Sequence, residues 1–387
     1  MIYILVLLYT LFLYVHFNVN GHKRDESFHY YLLLVIVCCI AGFSYRLGMD
    51  TIGYMENFER IDNLKYVIAH LREYRYEPAF VLLLAICKSV WNDFTLVQII
   101  IAVFVNSVIF WFVRKHAKFY FLVIFFYFIF GYWNINFEIK RESIAVCFFL
   151  IGFNRIIKEG KISRNDYLYY YIFCTFSALF HHFGILTFLF PFVTKIRLNR
   201  AYTLVLIVLF VMSFLGSIVF KDLLSALNTL MALYSSDGLS DYLSSGRYGE
   251  GGVFTINGLI TGIVIPFYII YCVRNIVNPK VLSMTLLYFL ISGLAANVFI
   301  FYRIQNYLFL FLMIIYGQFA EKCCTHNNRN AIVNSFVLLF VAFLLIYGKC
   351  HKLQYIRYSP YSSIFSKEIN EEREAEYDRL STLYLYE

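Results

Sequence analysis

Charge is scarce in this sequence. Lysine and arginine total 33, aspartate and glutamate 25, and together they make up 15% of 387 residues. Soluble domains carry about 25% charged residues, so a chain this long and this poor in charge cannot cover a water-facing surface. That excludes an ordinary soluble enzyme. Proline is also sparse, at 5, and there is no Ser/Gly-rich linker or internal repeat, which argues against a string of domains. The nine cysteines include the adjacent pairs Cys38-Cys39 and Cys323-Cys324 but no CxxC. Most lie in apolar runs and are read as small hydrophobes with no metal or disulfide role. Gly249-Glu250-Gly251-Gly252 lacks the Gly-Lys-Ser/Thr of a phosphate loop. The first apolar run, Ile2–Val19, lacks a basic leader and a small-residue cleavage site, and is read as an uncleaved span.

What is present is apolar: 60% hydrophobic and 20% aromatic residues. They fall in blocks of the length that crosses about 30 Å of hydrocarbon at 1.5 Å per residue. Continuous runs, rather than alternation, select helices over a barrel. The expected fold is all-α, a polytopic integral membrane protein with about 11–13 transmembrane helices. The multi-pass region spans residues 1–348, and residues 349–387 form a polar tail, helix-compatible from Lys367 onward. Ala79–Val90 is short for a span. Tyr167–Phe192 is long and interrupted by His181-His182, so both are candidates for broken elements. The net charge of +8 resides in short loops such as Arg114–Lys118 and Arg274–Lys280. It orients the chain by the positive-inside rule and does not indicate nucleic acid. Loops 46–78 and 221–254, balanced in charge, then face outward.

Ionisable residues at the rims of apolar runs cost free energy and need a reason. Arg46 and Asp50 lie four apart at the exit of the second run, and would share a face if that helix continued. They suit either a snorkelling arginine with a loop aspartate or a site for an anionic ligand. Glu77-Pro78 reads as the N-terminus of the next helix. Glu138, Arg141 and Glu142 are expected on one helical face, with Arg141 the foremost site candidate. His181 and His182 sit beside Gly184 at an apparent helix break. A metal reading of them is disfavoured, since adjacent helical residues point apart and no HExxH or carboxylate partner follows. Arg303, placed between two apolar runs, and Arg247, in the second outer loop, could join Arg46 and Arg141 in an anion clamp.

These residues resemble the motifs of the EpsG and Wzy class of bacterial polysaccharide polymerases. The R-x-G-x-D-T-x-x-Y stretch of that class is matched by Arg46, Gly48, Asp50, Thr51 and Tyr54. Its E-P-G-F segment is matched by Glu77, Pro78 and Phe80, with Ala79 in place of glycine. An N-x-x-R-Q-x-I-A stretch is matched by Arg141, Ile144 and Ala145, with Glu142 where glutamine is usual. Phe180 and His181 match F-H-x-S-A, with Phe183 replacing serine, and Tyr358-Ser359-Pro360-Tyr361 is similar to the tail motif. The resemblance runs in order from Tyr45 to Tyr361.

The resemblance implies a GT-C-like, metal-independent glycosyltransferase of the bacterial inner membrane that needs no cofactor. It would join undecaprenyl-diphosphate-linked oligosaccharide units on the periplasmic or outer face, making O-antigen, capsule or exopolysaccharide. A chain-length-regulating membrane protein would be its partner, beside the lipid bilayer itself. Arg141, His181, Asp50 and Glu77 are then the catalytic candidates. Arg46, Tyr54, Glu142, Arg247, Arg303 and Tyr361 are the candidates for substrate binding. The competing class is a lipid-linked oligosaccharide flippase, against which stand the missing repeat and the large outer loop.

Overall fold

A computed structural model of the chain describes residues 2–158, 160–197, 199–205, 208, 265–295, 301–325 and 356–385. Among these residues there is no β-strand; a single antiparallel bridge joins Ser44 and Ser363. The helices are α1 (Ile2–Leu13), α2 (Glu26–Gly42), α3 (Met49–Arg60), α4 (Leu64–Ala69), α5 (Pro78–Val90), α6 (Phe94–His116), α7 (Tyr120–Phe130), α8 (Lys140–Ile156), α9 (Arg164–Phe180), α10 (Phe190–Val193), α11 (Ile265–Val273), α12 (Pro279–Ala295), α13 (Phe301–Thr325) and α14 (Glu371–Leu385). A π-helical turn, Tyr14–Val19, prolongs α1, and a second, Asn134–Glu138, lies between α7 and α8. The chain divides into two compact units. One comprises Met1–Phe188 with Tyr316–Leu380, the other Leu189–Ile315 with Ser381–Glu387.

The apolar runs coincide with helices wherever they are described. Among the described residues, two helices, Ile2–Val19 and Phe94–His116, are long and apolar enough to cross a membrane by length and composition. The others are shorter apart from α13, which has 25 residues, and Tyr167–Phe192 is broken at His181-His182 as its length suggested. The expected runs Ala201–Phe220 (in most of its length) and Ala331–Tyr347, and the expected outer loop 221–254 with Arg247, lie outside the described residues. One expected boundary moves: Arg303 is not between two spans but in the first turn of α13.

In the first unit α8 packs along α9, α2 along α6, and α1 along α7. Large apolar side chains are exposed on the outer faces of these helices, among them Leu8 and Phe12, Phe28 and Val35, and Leu168 and Ile172. A buried amide–phenol network inside the unit satisfies its own members, as a low-dielectric interior requires. Asn106 donates to Asn136 Oδ1 at 2.8 Å, and Tyr127 donates to Asn106 Oδ1 at 2.8 Å. Asn136 in turn donates to Tyr127 and to the Tyr132 carbonyl, at 3.1 and 3.0 Å.

The polar tail is not a free appendage. Tyr45 N–H donates to the Ser362 carbonyl and Ile364 N–H to the Phe43 carbonyl, each at 2.9 Å. Arg373 is 1% exposed, and its guanidinium donates to the carbonyls of Ile356, Arg46 and Pro360 at 3.0, 3.1 and 2.8 Å. An arginine buried this deeply is stable because several fixed acceptors replace its water. The segment 356–380 thereby fixes the corner between α2 and α3.

Gly48 makes that corner possible. It precedes α3 with φ +85, and a Cβ there would lie 2.5 Å from the Phe137 carbonyl oxygen. Gly21, with φ +73, has nothing within 4 Å. Gly48→Ala therefore combines a steric clash with a backbone cost of roughly 1–3 kcal/mol, whereas Gly21→Ala carries the backbone cost alone. The apparent Tm of detergent-purified protein should fall by several degrees more for Gly48→Ala than for Gly21→Ala. Equal shifts would contradict the close approach.

Candidate active site

Pro78 occupies the first turn of α5, where its missing N–H costs nothing. Glu77 is the residue before it, at φ −60 and ψ 146, and its side chain does not cap the helix. The carboxylate points elsewhere. One oxygen accepts from Arg141 Nη1 at 2.5 Å. The other lies 3.0 Å from His182 Nδ1 and accepts the His182 N–H at 3.2 Å. Arg141 comes from the first turn of α8, and His182 from the turn after α9. Three separate segments meet at one carboxylate.

Two tyrosines enclose the guanidinium. Its carbon lies 4.4 Å from the Tyr76 ring centroid and 5.8 Å from that of Tyr54. Arg141 Nε also donates to Tyr54 Oη at 3.4 Å. Aromatic faces attract a cation most when water is excluded, and the Arg141 side chain is 22% exposed. Burial pushes the Tyr54 phenol up, against the opposing Arg141 charge, so it stays protonated at neutral pH. For Glu77, burial works against ionisation, but the His182 hydrogen bond and then the Arg141 charge outweigh it. They hold the carboxyl down at about 2, so the group is an ionised counter-ion.

The histidine corner exists because α9 ends. His181 is extended, at φ −156 and ψ 128, and Gly184 N–H donates to the His181 carbonyl at 2.8 Å. A Cβ on Gly184 would stand 2.5–2.6 Å from the Ser177 and Ala178 backbone, so only glycine lets the following turn fold against the last turn of α9. The premise that the two histidines point to different helix faces is therefore corrected: neither lies within α9, and their rings stack at 4.6 Å. His181 is buried, with Nε2 3.9 Å from the Glu142 carboxylate, itself 1% exposed.

The structure brings Glu77, Arg141, Tyr54, His181 and Glu142 together. Asp50 is exposed in the first turn of α3, one helical turn from Tyr54, and its charge bears on both Tyr54 and Tyr76. Two expected pairings are corrected. Arg46 does not share a helix with Asp50, because α2 ends at Gly42 and Arg46 adopts φ 48. It instead forms a two-pronged pair with Glu374, at 2.6 and 2.5 Å. Glu138 does not share a face with Arg141, because the chain breaks at Ile139 before α8 begins. Its carboxylate accepts from Asp50 N–H and from Tyr358 Oη, each at 3.0 Å. Tyr361 donates to the Ile40 carbonyl at 3.2 Å, a packing role. Arg303 belongs to the other unit, and Arg247 lies outside the described residues. Tyr76 and Glu374 were not foreseen. Tyr76 adjoins the Glu-Pro signal and was within reach of the sequence, whereas nothing local marks Glu374, 328 residues from Arg46.

If Arg141 and Glu77 stabilise each other, removing one alone leaves the other without its counter-charge and shielded from water. Arg141→Met and Glu77→Gln should each cost about 2–3 kcal/mol. The double variant should cost less than their sum by about 1–3 kcal/mol. A thermodynamic cycle from denaturation in detergent measures this, and additivity within about 0.5 kcal/mol would contradict the pairing.

No curated protein and no solved structure matches the chain. The EpsG family model matches residues 27–363, a stretch that contains all of α2 but its first residue, α3 to α9, and every residue gathered around Glu77. With most of its length matched, the chain belongs to the EpsG family.

Proposed function

We propose that this protein is a polysaccharide polymerase that joins lipid-diphosphate-linked oligosaccharide units at the outer face of the bacterial inner membrane. Membership of the EpsG family makes it a membrane protein with a polymerase-like part in polysaccharide synthesis. The lipid-diphosphate substrate, the multi-pass GT-C-like architecture and the residue roles are our reading. The large apolar side chains on the outer faces of α1, α2 and α9 support a lipid-facing surface.

One observation carries the chemistry. An arginine is pre-set between two tyrosine rings and one carboxylate, with an exposed aspartate bearing on the same two rings. In glycosyl transfer from a lipid diphosphate, the bond from the anomeric carbon to the diphosphate oxygen breaks and negative charge develops on the leaving group. A guanidinium offers a planar, charged fork that matches phosphate oxygens, and it needs no reorganisation at the moment of reaction. Arg141 takes that role, and no step in this reading uses a metal ion. The acceptor hydroxyl attacks the anomeric carbon and loses its proton. In this reading Asp50, exposed in the first turn of α3, accepts that proton. Tyr54 and Tyr76 present the flat, partly apolar faces on which sugar rings stack.

Gene deletion separates polymerisation from the steps before it. A deletion strain should lose polymer and accumulate single lipid-linked repeat units on the outer face, and the wild-type gene should restore polymer. Loss of polymer together with retention of the units on the cytoplasmic face would instead identify a flippase and overturn the proposal.

A further inference from the structure

Glu77, His181 and His182 each offer one ligand atom, and the three atoms lie within 4.8 Å of one another. We propose that these residues form a divalent-cation site of the zinc class, formed by the corner after α9 and the N-terminus of α5. The inference is independent of the polymerase reading.

Two donors bound to one metal at about 2.1 Å in tetrahedral geometry are roughly 3.4 Å apart. The Glu77 oxygen and His182 Nδ1 are already 3.0 Å apart. Bringing in the third donor requires a shift of about 1.4 Å, the difference between 4.8 Å and that spacing. The third donor belongs to His181, which is buried, so the shift falls to the Glu77 carboxylate and the His182 ring, which is 62% exposed. Only one Glu77 oxygen is needed, so Arg141 keeps the other. The carboxylate would then bridge the guanidinium and the ion.

Charge favours a cation here. Glu77 supplies a carboxylate ligand, and with Glu142 near His181 the corner holds two carboxyl groups against one guanidinium. Glu142 lies 3.9 Å from His181 Nε2, a second carboxyl group beside the ligating imidazole. Two imidazoles and one carboxylate suit Zn2+ or Co2+ better than Mg2+ or Ca2+, which prefer all-oxygen sets. Three protein donors leave a fourth position open.

Cobalt tests this directly, because its visible absorption reports coordination. Full-length protein purified in detergent and stripped with chelator should bind one Co2+ with nitrogen/oxygen-type bands, and Zn2+ should displace it. His182→Ala, a change at an exposed ring, should weaken binding by roughly a hundredfold or more. Glu77→Gln should do the same, and His70→Ala should leave binding unchanged. Each variant is compared at equal Tm and as a single species on gel filtration, and His182→Ala decides if Glu77→Gln is not folded. No stoichiometric cobalt, or binding unaltered in folded His182→Ala (an adventitious ion only), would overturn the site.

Discussion

A guanidinium placed among apolar helices needs a counter-charge and acceptors, because losing its water costs several kcal/mol. Arg141 finds them in Glu77 and the Tyr54–Tyr76 pair, and much of the first unit follows from that requirement. Glu77 must stand at the head of α5 with its carboxylate turned away from the helix, which Pro78 permits by starting the helix without an N–H. The turn after α9 must come close enough for His182 to hold the second oxygen, which Gly184 permits by letting backbone approach backbone. The corner at Gly48 must set α3 so that Tyr54 faces Arg141. Each adjustment is local, and the ion pair explains why they occur together.

The C-terminal segment is part of the same arrangement. Glu374 neutralises Arg46, Arg373 ties the corner carbonyls, and Tyr358 shares Glu138 with the Asp50 N–H. Arg46 is therefore occupied by a carboxylate. A diphosphate seeking that arginine would have to displace Glu374, whereas Arg141 already presents a fork between aromatic faces. Arg46 gives two nitrogens of its fork to Glu374 and Arg141 gives only one to Glu77, which is why Arg141, and not Arg46, leads the proposed chemistry.

The helices were legible in the sequence wherever hydrophobicity alone decides them. Runs such as Phe94–Val113 and Ser143–Ile157 became α6 and α8 with ends shifted by a few residues, and Pro78 marked the start of α5 as its fixed φ demands. The break at His181-His182 was visible as a polar pair beside glycine. What failed were inferences that assumed unbroken helix. Arg46 with Asp50, and Glu138 with Arg141, have helical spacing, but Gly48 and Ile139 interrupt the chain between them. Partner choice failed for a related reason. Glu77 and Arg141 are 64 residues apart, Arg46 and Glu374 328 apart, and spacing along a chain carries no information about contacts set by tertiary packing.

Beyond its place in the scaffold, the Glu77–Arg141 pair is proposed to serve the chemistry. The most direct measurement is polymer formation by the charge-neutral double variant, Glu77→Gln with Arg141→Met, in membrane vesicles supplied with lipid-linked repeat units. Removing both charges together spares the fold, while the leaving group loses its cation. Loss of about 3 kcal/mol of transition-state stabilisation should cut the rate roughly a hundredfold, with folded protein present at the normal level and single units left unjoined. Wild-type polymer from the folded double variant would contradict the account.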